Sequence, residues 1–389
     1  MKIFLLPSWY PSKEKPLDGI FFKEQAEALV KENIEVVVVN IVIKSINERD
    51  AKEEVNKLKF YEENGVKVYR YVTYNYIPRL TEIYLRYYSS ILNKVISKII
   101  SIEGNPELIH IHSAIDAGIA YSKSKMTIPY VITEHSTKYA RNILNNTQKK
   151  YLKDVFSNAK VVMAVGVGLK REISKYISEE KIRVIANPVI INDSSTTIDK
   201  NKKKFRFFSL GLLTNKKGMD ALIEAYNSNR DNLKDVELYI GGNGEEFTKL
   251  QQLIHKYNLE KDIILLGSLN REEVAYHMKN CDCFILASRF ETFGIVFVEA
   301  MYYGKPVIGT KTGGPDSFVN DECGILVEID NVEQIGESMI RMVSSYSNYN
   351  SEYIKEYCRD NFSEKVIVEK LKSIYGEVIG ESNDKRNNF

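Results

Sequence analysis

Two glutamates, Glu291 and Glu299, stand eight positions apart where a loop is predicted to run into a helix. The apolar residues 283–287 before them predict a buried strand, and the helical pattern begins near Gly294. Carboxylates accept hydrogen bonds from hydroxyl groups, and the free backbone amides at a helix start bind anions. Those amides belong to Phe293, Gly294, Ile295 and Val296, directly after Thr292. A ligand with both phosphate and hydroxyl groups, such as a nucleotide-sugar, fits this pattern.

A glycine-bounded loop upstream carries two lysines, Lys216 and Lys217, between Gly211 and Gly218. It follows an apolar strand and opens a helix, so a lysine here can place a positive charge on a diphosphate without a metal. An exposed lysine pair near a helix start explains the loop equally well on its own. The glutamate pair downstream favours the functional interpretation.

Residues 240–246 form another predicted strand-to-helix turn, with Gly242 and Asn243 at its centre. Glycine lets the backbone approach a ligand closely, so the turn is a candidate ligand-lining loop. The alternative is a simple turn in which acidic residues favour the following helix start.

The strand ending at His112 carries His110 on the same face, because residues two apart in a strand share a side. His112, at the carboxyl end, is a candidate polar or proton-accepting group, whereas His110 is predicted to be structural. Glu134 and His135 follow the next strand and are predicted to open onto the same edge. A hydrogen-bonded structural histidine is the alternative for His112.

Two other signals point away from redox and metal chemistry. Gly166 and Gly168 imitate a dinucleotide-binding fingerprint, but its third glycine position holds Arg171 and no suitably spaced acidic residue follows, so NAD binding is not expected. The chain contains no Asp-x-Asp sequence, so no metal site is predicted.

Gly19 can bring backbone amides against a phosphate where the first loop enters the first long helix.

The elements that must position these residues alternate between short apolar strands and helices, which predicts an α/β fold with parallel sheets. The polar segment 191–204 is typical of a linker, and the alternation restarts after it. We predict a first Rossmann-like domain at 1–190, a second at 205–362 and an amphipathic C-terminal helix within 363–389. Two doubly wound domains would present the carboxyl ends of their sheets to a cleft, where such folds bind ligands.

The predicted strands and helices are as follows. Strands are expected at 2–6, 35–43, 66–72, 108–112, 129–133, 160–165, 182–186, 205–210, 236–240, 262–266, 283–287, 306–309 and 325–328. Helices are expected at 20–32, 218–227, 246–257, 271–279, 294–303 and 331–343.

Composition narrows the class of protein. The 389 residues carry a net charge of +2, which gives no reason to expect a nucleic-acid partner. Four cysteines without zinc or disulfide spacing indicate reduced thiols and a cytoplasmic location. The apolar start is too short for a signal peptide, and no apolar run approaches the length of a membrane span.

A basic, tyrosine-rich segment at 66–102 has six Lys and Arg residues against Glu82. If helical, it suits an anionic surface, which predicts peripheral contact with the cytoplasmic face of a membrane or with a phosphorylated lipid acceptor. The alternative is a solvated face whose tyrosines pack at the edge of the core.

Together these motifs resemble the retaining glycosyltransferases of family four, which have the GT-B fold of two facing Rossmann-like domains. The specific match runs from Ser288 through Glu291 and Gly294 to Glu299, the family's Glu-x7-Glu motif. The opening residues 7–11 and 18–25 look like bacterial surface-polysaccharide members, with capsule or O-antigen as the product class.

The resemblance implies a role for each site residue. Glu299 would bind the donor ribose, Glu291 the transferred sugar and Lys217 the diphosphate, with Gly19 lining it. His112 would face the reacting centre, and His135 and Glu134 would lie on the acceptor side. Further donor contacts are implied at Gly211, Lys216, Gly242, Asn243, Leu269, Arg289, Thr292, Phe293, Gly294, Ile295 and Val296.

The implied reaction moves a hexosyl or N-acetylhexosaminyl group from a nucleotide-diphosphate sugar, with a UDP-sugar expected first, to a glycan or polyprenyl-diphosphate-linked acceptor. No cofactor is expected. One departure is Leu212, where the family usually has arginine. Either Lys216 or Arg289 supplies the second positive charge, or stabilisation of the leaving group is weaker in this chain; we hypothesise that Lys216 contributes. A sugar-nucleotide epimerase and a non-catalytic transferase partner are the alternatives.

Overall fold

The computed structural model describes residues 1–12, 15, 18–48, 54–76, 80–191, 197–199 and 202–387, with side chains to residue 381. Its strands are β1 Lys2–Pro7, β2 Glu35–Ser45, β3 Leu58–Glu63, β4 Val66–Asn75, β5 Leu108–His112, β6 Tyr130–Glu134, β7 Val162–Ala164, β8 Ile182–Val184, β9 Phe205–Leu210, β10 Val236–Gly241, β11 Ile263–Gly267, β12 Cys283–Leu286, β13 Val307–Thr310 and β14 Gly324–Val327.

The α-helices run between and after these strands. They are α1 Ile20–Lys31, α2 Thr81–Glu103, α3 Ile119–Ser122, α4 Asn146–Asn158, α5 Val167–Ile173, α6 Met219–Ser228, α7 Phe247–Lys256, α8 Arg271–Asn280, α9 Ile295–Tyr302, α10 Val332–Ser345, α11 Ser351–Phe362 and α12 Glu364–Asn387.

The chain divides into two compact units. Unit 1 comprises Met1–Val165, Leu169–Pro188 and the C-terminal residues from Glu364, and unit 2 comprises Gly166–Gly168 and Val189–Ser363. The helix α12 belongs to unit 1, where Glu364 accepts from Lys31 Nζ at 2.8 Å and Tyr375 contacts His110.

Unit 1 is built on an eight-stranded sheet of order β3-β4-β2-β1-β5-β6-β7-β8, parallel except for the β3–β4 pair. Its central strands are continuous apolar runs because helices cover both faces, and Val37, Val38 and Val39 are fully buried. Registers of β1 with β5 and of β5 with β6 set His112 beside Pro7 and Thr133. The polar residues that follow β5 and β6 therefore share one sheet edge.

Unit 2 is built on a six-stranded parallel sheet of order β11-β10-β9-β12-β13-β14. The strand β9 lies between β10 and β12, so the loops leaving these three strands are neighbours at the carboxyl edge. Asn caps begin several of its helices, including a capping box between Asn270 and Glu273 at α8.

The sequence prediction of two parallel-sheet α/β units is confirmed, but the segment 66–102 is not one helix. Residues 66–75 form β4, and α2 begins only at Thr81. The strand predicted at 66–72 is confirmed as part of β4, which pairs with β2. The description of the whole segment 66–102 as helical is wrong, because the β-branched and aromatic residues before the turn favour a strand. The strand β3 and the helices α4 and α11 were not predicted.

Candidate functional site

Lys217 and Glu291 meet at the carboxyl edge of the unit 2 sheet. The distance from Lys217 Nζ to Glu291 Oε2 is 2.6 Å, and Glu291 Oε1 accepts from the backbone N–H of Thr292 at 3.2 Å. Both side chains keep contact with solvent, at 23% and 13% exposure. An ion pair that is only partly desolvated can exchange its partner for a charged ligand at modest free-energy cost.

A tight turn presents Lys217. Residues Asn215–Lys217 form a single 3-10 turn after β9, and Gly218 then begins α6 with φ 62°. The aliphatic stem of Lys217 passes over Gly211, since a Cβ there would lie 3.5 Å from three of its carbons. The lysine stem therefore packs directly over the backbone of Gly211.

Arg289 fastens this turn to the loop that carries Glu291. Its guanidinium donates to both carboxylate oxygens of Asp220, at 2.9 and 3.2 Å, to Asp330 at 2.7 Å and to the carbonyl of Asn215 at 2.7 Å. Its backbone N–H also donates to the carbonyl of Lys216 at 2.7 Å. Arg289 thus makes five hydrogen bonds within the protein, two of them to backbone carbonyls of the lysine turn.

The electrostatics of Arg289 follow from these bonds. Burial opposes its charge, yet the hydrogen bonds and charges of Asp220 and Asp330 outweigh burial and raise the pKa of Arg289. Burial likewise opposes ionisation of Asp220, but Arg289 lowers its pKa below the ordinary value. Two carboxylates surround one guanidinium, so Arg289 presents no net positive charge to a ligand.

The loops after β9 and β10 are joined backbone to backbone. Gly211 N–H donates to the Gly241 carbonyl at 3.1 Å, and Leu213 N–H to the Asn243 carbonyl at 2.9 Å. Gly242 has φ 126°, and a Cβ there would collide with the Gly211 carbonyl, so only glycine fits. Leu269 lies directly against Gly241, while Leu212 is 66% exposed.

The helix α9 begins at Gly294, whose φ of 92° is the left-handed conformation that favours glycine. Phe293 is buried, and Ile295 and Val296 in the first turn are half-buried together with Glu299. Neighbours such as Val298 and Ala300 are fully buried, but adjacent residues on a helix point in different directions.

Gly313 and Gly314, which follow β13, pack closely against neighbouring backbone, Gly314 against the loop that carries Glu291. A Cβ at Gly314 would lie 2.9 Å from the Glu291 carbonyl and from the Phe293 nitrogen. Gly313 accepts from Gly168 N–H at 2.8 Å, and the two glycine backbones touch with no space for side chains. The Gly166–Gly168 sequence therefore serves close backbone packing in unit 2.

The histidines of unit 1 are buried. His112 Nδ1 lies 3.1 Å from His135 Nε2, and among the described residues His112 Nε2 and His135 Nδ1 have no hydrogen-bond partner. Burial lowers the pKa of His112 well below its ordinary value, with His110 and His135 adding to the effect. His110 bonds Tyr375 and Thr133 at 2.7 Å each, which confirms its predicted structural role.

Glu134 holds the loops after β5 and β6 in place. It is fully buried and accepts from Ala114, His135 and Ser136 N–H and from the Tyr139 hydroxyl, at 2.8 to 2.9 Å. If Glu134 acts on the acceptor side, as the resemblance implies, it does so by holding these loops in place.

The first loop of unit 1 meets the same histidines. Gly19 precedes α1 with φ 72°, and a Cβ there would lie 2.8 Å from the Trp9 ring. The Phe22 ring lies 5.2 Å from Trp9 and 4.7 Å from His112, centroid to centroid. Phe22 of α1 thus contacts both Trp9 of the first loop and His112 of β5.

The sequence analysis also made predictions about metal binding, membrane-spanning helices and the basic segment 66–102. Among the described residues no group of three or more His, Cys, Asp or Glu side chains is arranged to hold a metal ion. None of the described helices is long and apolar enough to cross a bilayer. In segment 66–102, Lys67 pairs with Glu103 and Arg86 with Glu82, while Arg79 lies outside the described residues. Lys94 and Lys98 are exposed, and most of the tyrosines pack inward.

Sequence reasoning missed the clamp formed by Arg289 with Asp220 and Asp330. Asp220 stands in the first turn of a helix, where an acidic residue is explained by the helix dipole alone. It also missed the pairing of His112 with His135 and the conformation of the residues after His112. No local signal in the sequence could have revealed these contacts, because each joins separate strands or loops.

The chain matches two protein families along its length. Residues 19–193 match the family described as Glycosyltransferase Family 4, and residues 191–360 match Glycosyl transferases group 1. An uncharacterized glycosyltransferase of Methanocaldococcus jannaschii is 30% identical over 82% of this chain and 88% of its own length. The putative teichuronic acid biosynthesis glycosyltransferase TuaC of Bacillus subtilis is 26% identical over 88% of this chain and 89% of its own.

Solved structures share the fold. Sucrose-phosphate synthase from Thermosynechococcus elongatus superposes with a TM-score of 0.75 at 17% identity, over 98% of this chain and 99% of that one. HepE of Anabaena, solved in complex with UDP and glucose, superposes with a TM-score of 0.72 at 19% identity, over 97% and 100%. With its two parallel-sheet α/β units and these relatives, the chain belongs to the family-4 glycosyltransferases of GT-B fold.

Proposed function

We propose that this glycosyltransferase is a retaining enzyme that moves a hexosyl or N-acetylhexosaminyl group from a UDP-sugar to a hydroxyl of a glycan or polyprenyl-diphosphate-linked glycan. Donor binding is assigned to unit 2 and acceptor binding to unit 1. The observation that carries the proposal is the ion pair between Lys217 and Glu291, 2.6 Å long, beside the start of α9. A cation, a carboxylate and free helix amides then lie within one set of neighbouring loops.

The donor assignment rests on charge and hydrogen-bonding chemistry. A diphosphate would take Lys217 from Glu291 and accept from the amides at the start of α9, which favours anions. Glu299, half-buried on the same helix, would accept from the ribose hydroxyls. The UDP bound to the structural relative HepE supports a uridine donor, as does the matching fold.

The reaction follows from where negative charge develops. As the sugar–phosphate bond breaks, charge builds on the diphosphate, and Lys217 with the helix amides stabilises it. The acceptor hydroxyl attacks the anomeric carbon from the face that the diphosphate leaves and gives its proton to the departing diphosphate oxygen, so the anomeric configuration is retained. Glu291, released from Lys217, would bind hydroxyls of the transferred sugar. On this route neither glutamate forms a covalent bond.

The second positive charge that Leu212 does not supply is assigned to Lys216. Arg289 is surrounded by Asp220 and Asp330, so its charge is already balanced. Lys216 belongs to the same turn as Lys217. Arg289 then acts as a positioning residue for that turn rather than as a phosphate ligand.

The acceptor and location are proposed from the relatives and the surface of unit 1. TuaC is named for teichuronic acid synthesis, which supports a role in bacterial surface polysaccharide synthesis. We assign the protein to the cytoplasm. The exposed residues Leu80, Ile83, Lys94 and Lys98 of and beside α2 would allow contact with an anionic membrane face.

A donor screen tests the proposal. The purified chain is mixed with UDP-, GDP- and ADP-sugars, and thermal shift, nucleotide release and the anomeric configuration of the product by NMR are measured. A UDP-sugar should raise the melting temperature and yield a product with the donor's configuration. An inverted product would contradict the retaining mechanism, and conversion of the donor sugar without an acceptor would indicate an epimerase.

The role of Glu291 predicts a division between binding and turnover. Glu291→Ala should reduce kcat by about 100-fold or more while donor Kd changes much less, because its hydroxyl contacts matter most as the sugar is transferred. The exposed Glu337→Ala on α10 is the matched control and should behave as wild type. Equal losses in kcat and donor affinity would contradict the assigned role.

A further inference from the structure

The backbone after β5 is strained at two residues that are not glycine. Ser113 has φ 73° and ψ 118°, and Asp116 has φ 66° and ψ −76°. Side chains with a Cβ rarely adopt such conformations, and they persist where the surrounding structure enforces them, often at ligand sites. Here the fold enforces them: Ser113 N–H donates to the Thr133 carbonyl at 2.9 Å, and Ala114 N–H to Glu134 at 2.8 Å.

The carboxylate of Asp116 is partly buried but accepts few hydrogen bonds from the protein. Among the described residues it accepts one long hydrogen bond, from Gln148 Nε2 at 3.4 Å, and Lys138 Nζ lies 4.0 Å away. An ionised carboxylate can accept about four hydrogen bonds. Burial raises the pKa of Asp116, with Lys138 and Gln148 opposing the shift, so the group is held where water solvates it incompletely.

Three elements of unit 1 surround this carboxylate at the carboxyl edge of the sheet. They are the turn after β5, the loop after β6 with Lys138, and the start of α4 with Gln148. The side chain of Asp116 remains 31% exposed, so a ligand can reach it. Tyr84 of α2 lies close by: burial and then the charge of Asp116 raise the pKa of its hydroxyl.

We propose that Asp116 is an acceptor-binding residue whose carboxylate receives hydrogen bonds from hydroxyl groups of a neutral sugar. This inference rests on the proposed transferase function and names the acceptor chemistry of unit 1. Two adjacent sugar hydroxyls supply the donors that the protein leaves unfilled. A strained backbone holds the carboxylate in place before the acceptor binds.

The charge of Asp116 selects against an acidic group on the sugar that binds beside it. A carboxylate or phosphate on that sugar would meet a like charge in a partly desolvated place, where repulsion is strong. Lys138 lies on one side only, and its side chain is 44% exposed, so its screening is weak. We therefore expect the site to prefer a neutral glycan over an acidic acceptor, such as a small hydroxy acid.

Kinetics with defined acceptors test the proposal. UDP release from UDP-glucose and UDP-N-acetylglucosamine is measured with octyl glucoside, octyl N-acetylglucosaminide and L-malate as probes. At least one glycoside should accelerate UDP release by the wild type, and Asp116→Asn should raise the KM of that glycoside about tenfold or more, with a smaller change in kcat. Asp154→Asn, exposed on α4 of the same unit, is the control and should match wild type.

Asp116→Gly separates ligand binding from a structural role. Glycine adopts positive φ without strain, so this variant should melt at or above the wild-type temperature and still lose affinity for the glycoside. The rise in melting temperature on adding UDP measures donor binding in each variant. A lower melting temperature with an unchanged KM would show that Asp116 is only structural.

The remaining outcomes are distinct. A KM within twofold of wild type for Asp116→Asn, stimulation by L-malate alone, or no glycoside that either binds or accepts would each overturn the proposal. Absence of UDP release from every donor would instead contradict the proposed function. Saturation-transfer NMR with the glycosides then decides the subsite independently, since binding that Asp116→Asn abolishes would uphold it.

Discussion

The carboxyl edges of the two sheets use polar residues in opposite ways. In unit 2, Lys217 and Glu291 bind each other but remain 23% and 13% exposed. In unit 1, His112 and Glu134 are fully buried and His135 is 7% exposed. A strand end is thus a position where polar side chains gather in both units, yet burial decides whether they can exchange partners with a ligand.

The difference has a physical basis in the loops. Unit 2 forms its edge from glycine-rich loops whose backbones touch, which leaves few side chains to cover Lys217. Unit 1 covers its histidines with Phe21 and Phe22 from α1 and with α12, which contributes Tyr375. Burial of that kind favours neutral imidazoles and hydrogen-bonded carboxylates.

The largest effect is expected from Lys217→Ala in unit 2. Removing the cation that faces the leaving diphosphate should lower kcat/KM by about 100- to 1,000-fold, as for other preorganised charge-stabilising groups. The exposed Lys261→Ala is the control for loss of a lysine in the same unit. Nucleotide release assays measure both, and a loss under fivefold for Lys217→Ala would contradict its role.

In unit 1, replacing the buried Glu134 should lower the stability of the fold. Glu134→Gln replaces an acceptor of four hydrogen bonds with a group that has one acceptor oxygen, so about 3 kcal/mol of unfolding free energy should be lost. Urea unfolding followed through Trp9, the single tryptophan and a residue of unit 1, measures it. A variant as stable as Asp154→Asn would show that the buried carboxylate is not structural.

Unit 1 should also lose stability in mild acid. Burial lowers the pKa of His110 and of His135 to about 3, while the unfolded chain has its histidine pKa near 6.5. Below pH 6.5 these histidines are protonated in the unfolded state but remain neutral in the folded state. Each histidine should therefore lower the free energy of unfolding by about 1.4 kcal/mol between pH 7.5 and 5.5.

Urea titrations of Trp9 fluorescence at the two pH values check this expectation. If the wild type were equally stable at pH 7.5 and 5.5, the buried histidines would have to be protonated in the folded state.

The smallest effect should come from Lys216→Ala. As the second positive charge of the turn it should raise the donor KM by roughly threefold to tenfold, in line with a half-buried charge. Wild-type turnover and donor affinity in Lys216→Ala, beside an inactive Lys217→Ala, would remove Lys216 from the site. Arg289→Lys would then show whether loss of the clamp alone disturbs Lys217.

Most of the fold could be predicted because hydrophobic periodicity is local. The alternation of apolar strands with helices such as α1 and α9 predicted parallel sheets, and glycines at the loops of unit 2 predicted the turns around Lys217. The strand β3 was missed since it lies on the sheet edge, where Lys59 and Phe60 are exposed and the apolar signal is weak.

The candidate site could be predicted only where its residues are close in sequence. Glu291 and Glu299 belong to one loop and one helix, so their spacing is informative by itself. The burial of Glu134 and the clamp at Arg289 join residues that are far apart in the chain. Side-chain identity does not indicate such partners.

The amino-acid sequence by itself determined the family, the two α/β units and the lysine and glutamates of the donor motifs, because these follow from local pattern and motif. Only the tertiary structure decided that Lys217 binds Glu291, that Arg289 is neutralised by two aspartates, and that Asp116 is left short of hydrogen bonds on a strained turn. The reason is that desolvation and partner choice depend on what packs around a side chain in three dimensions.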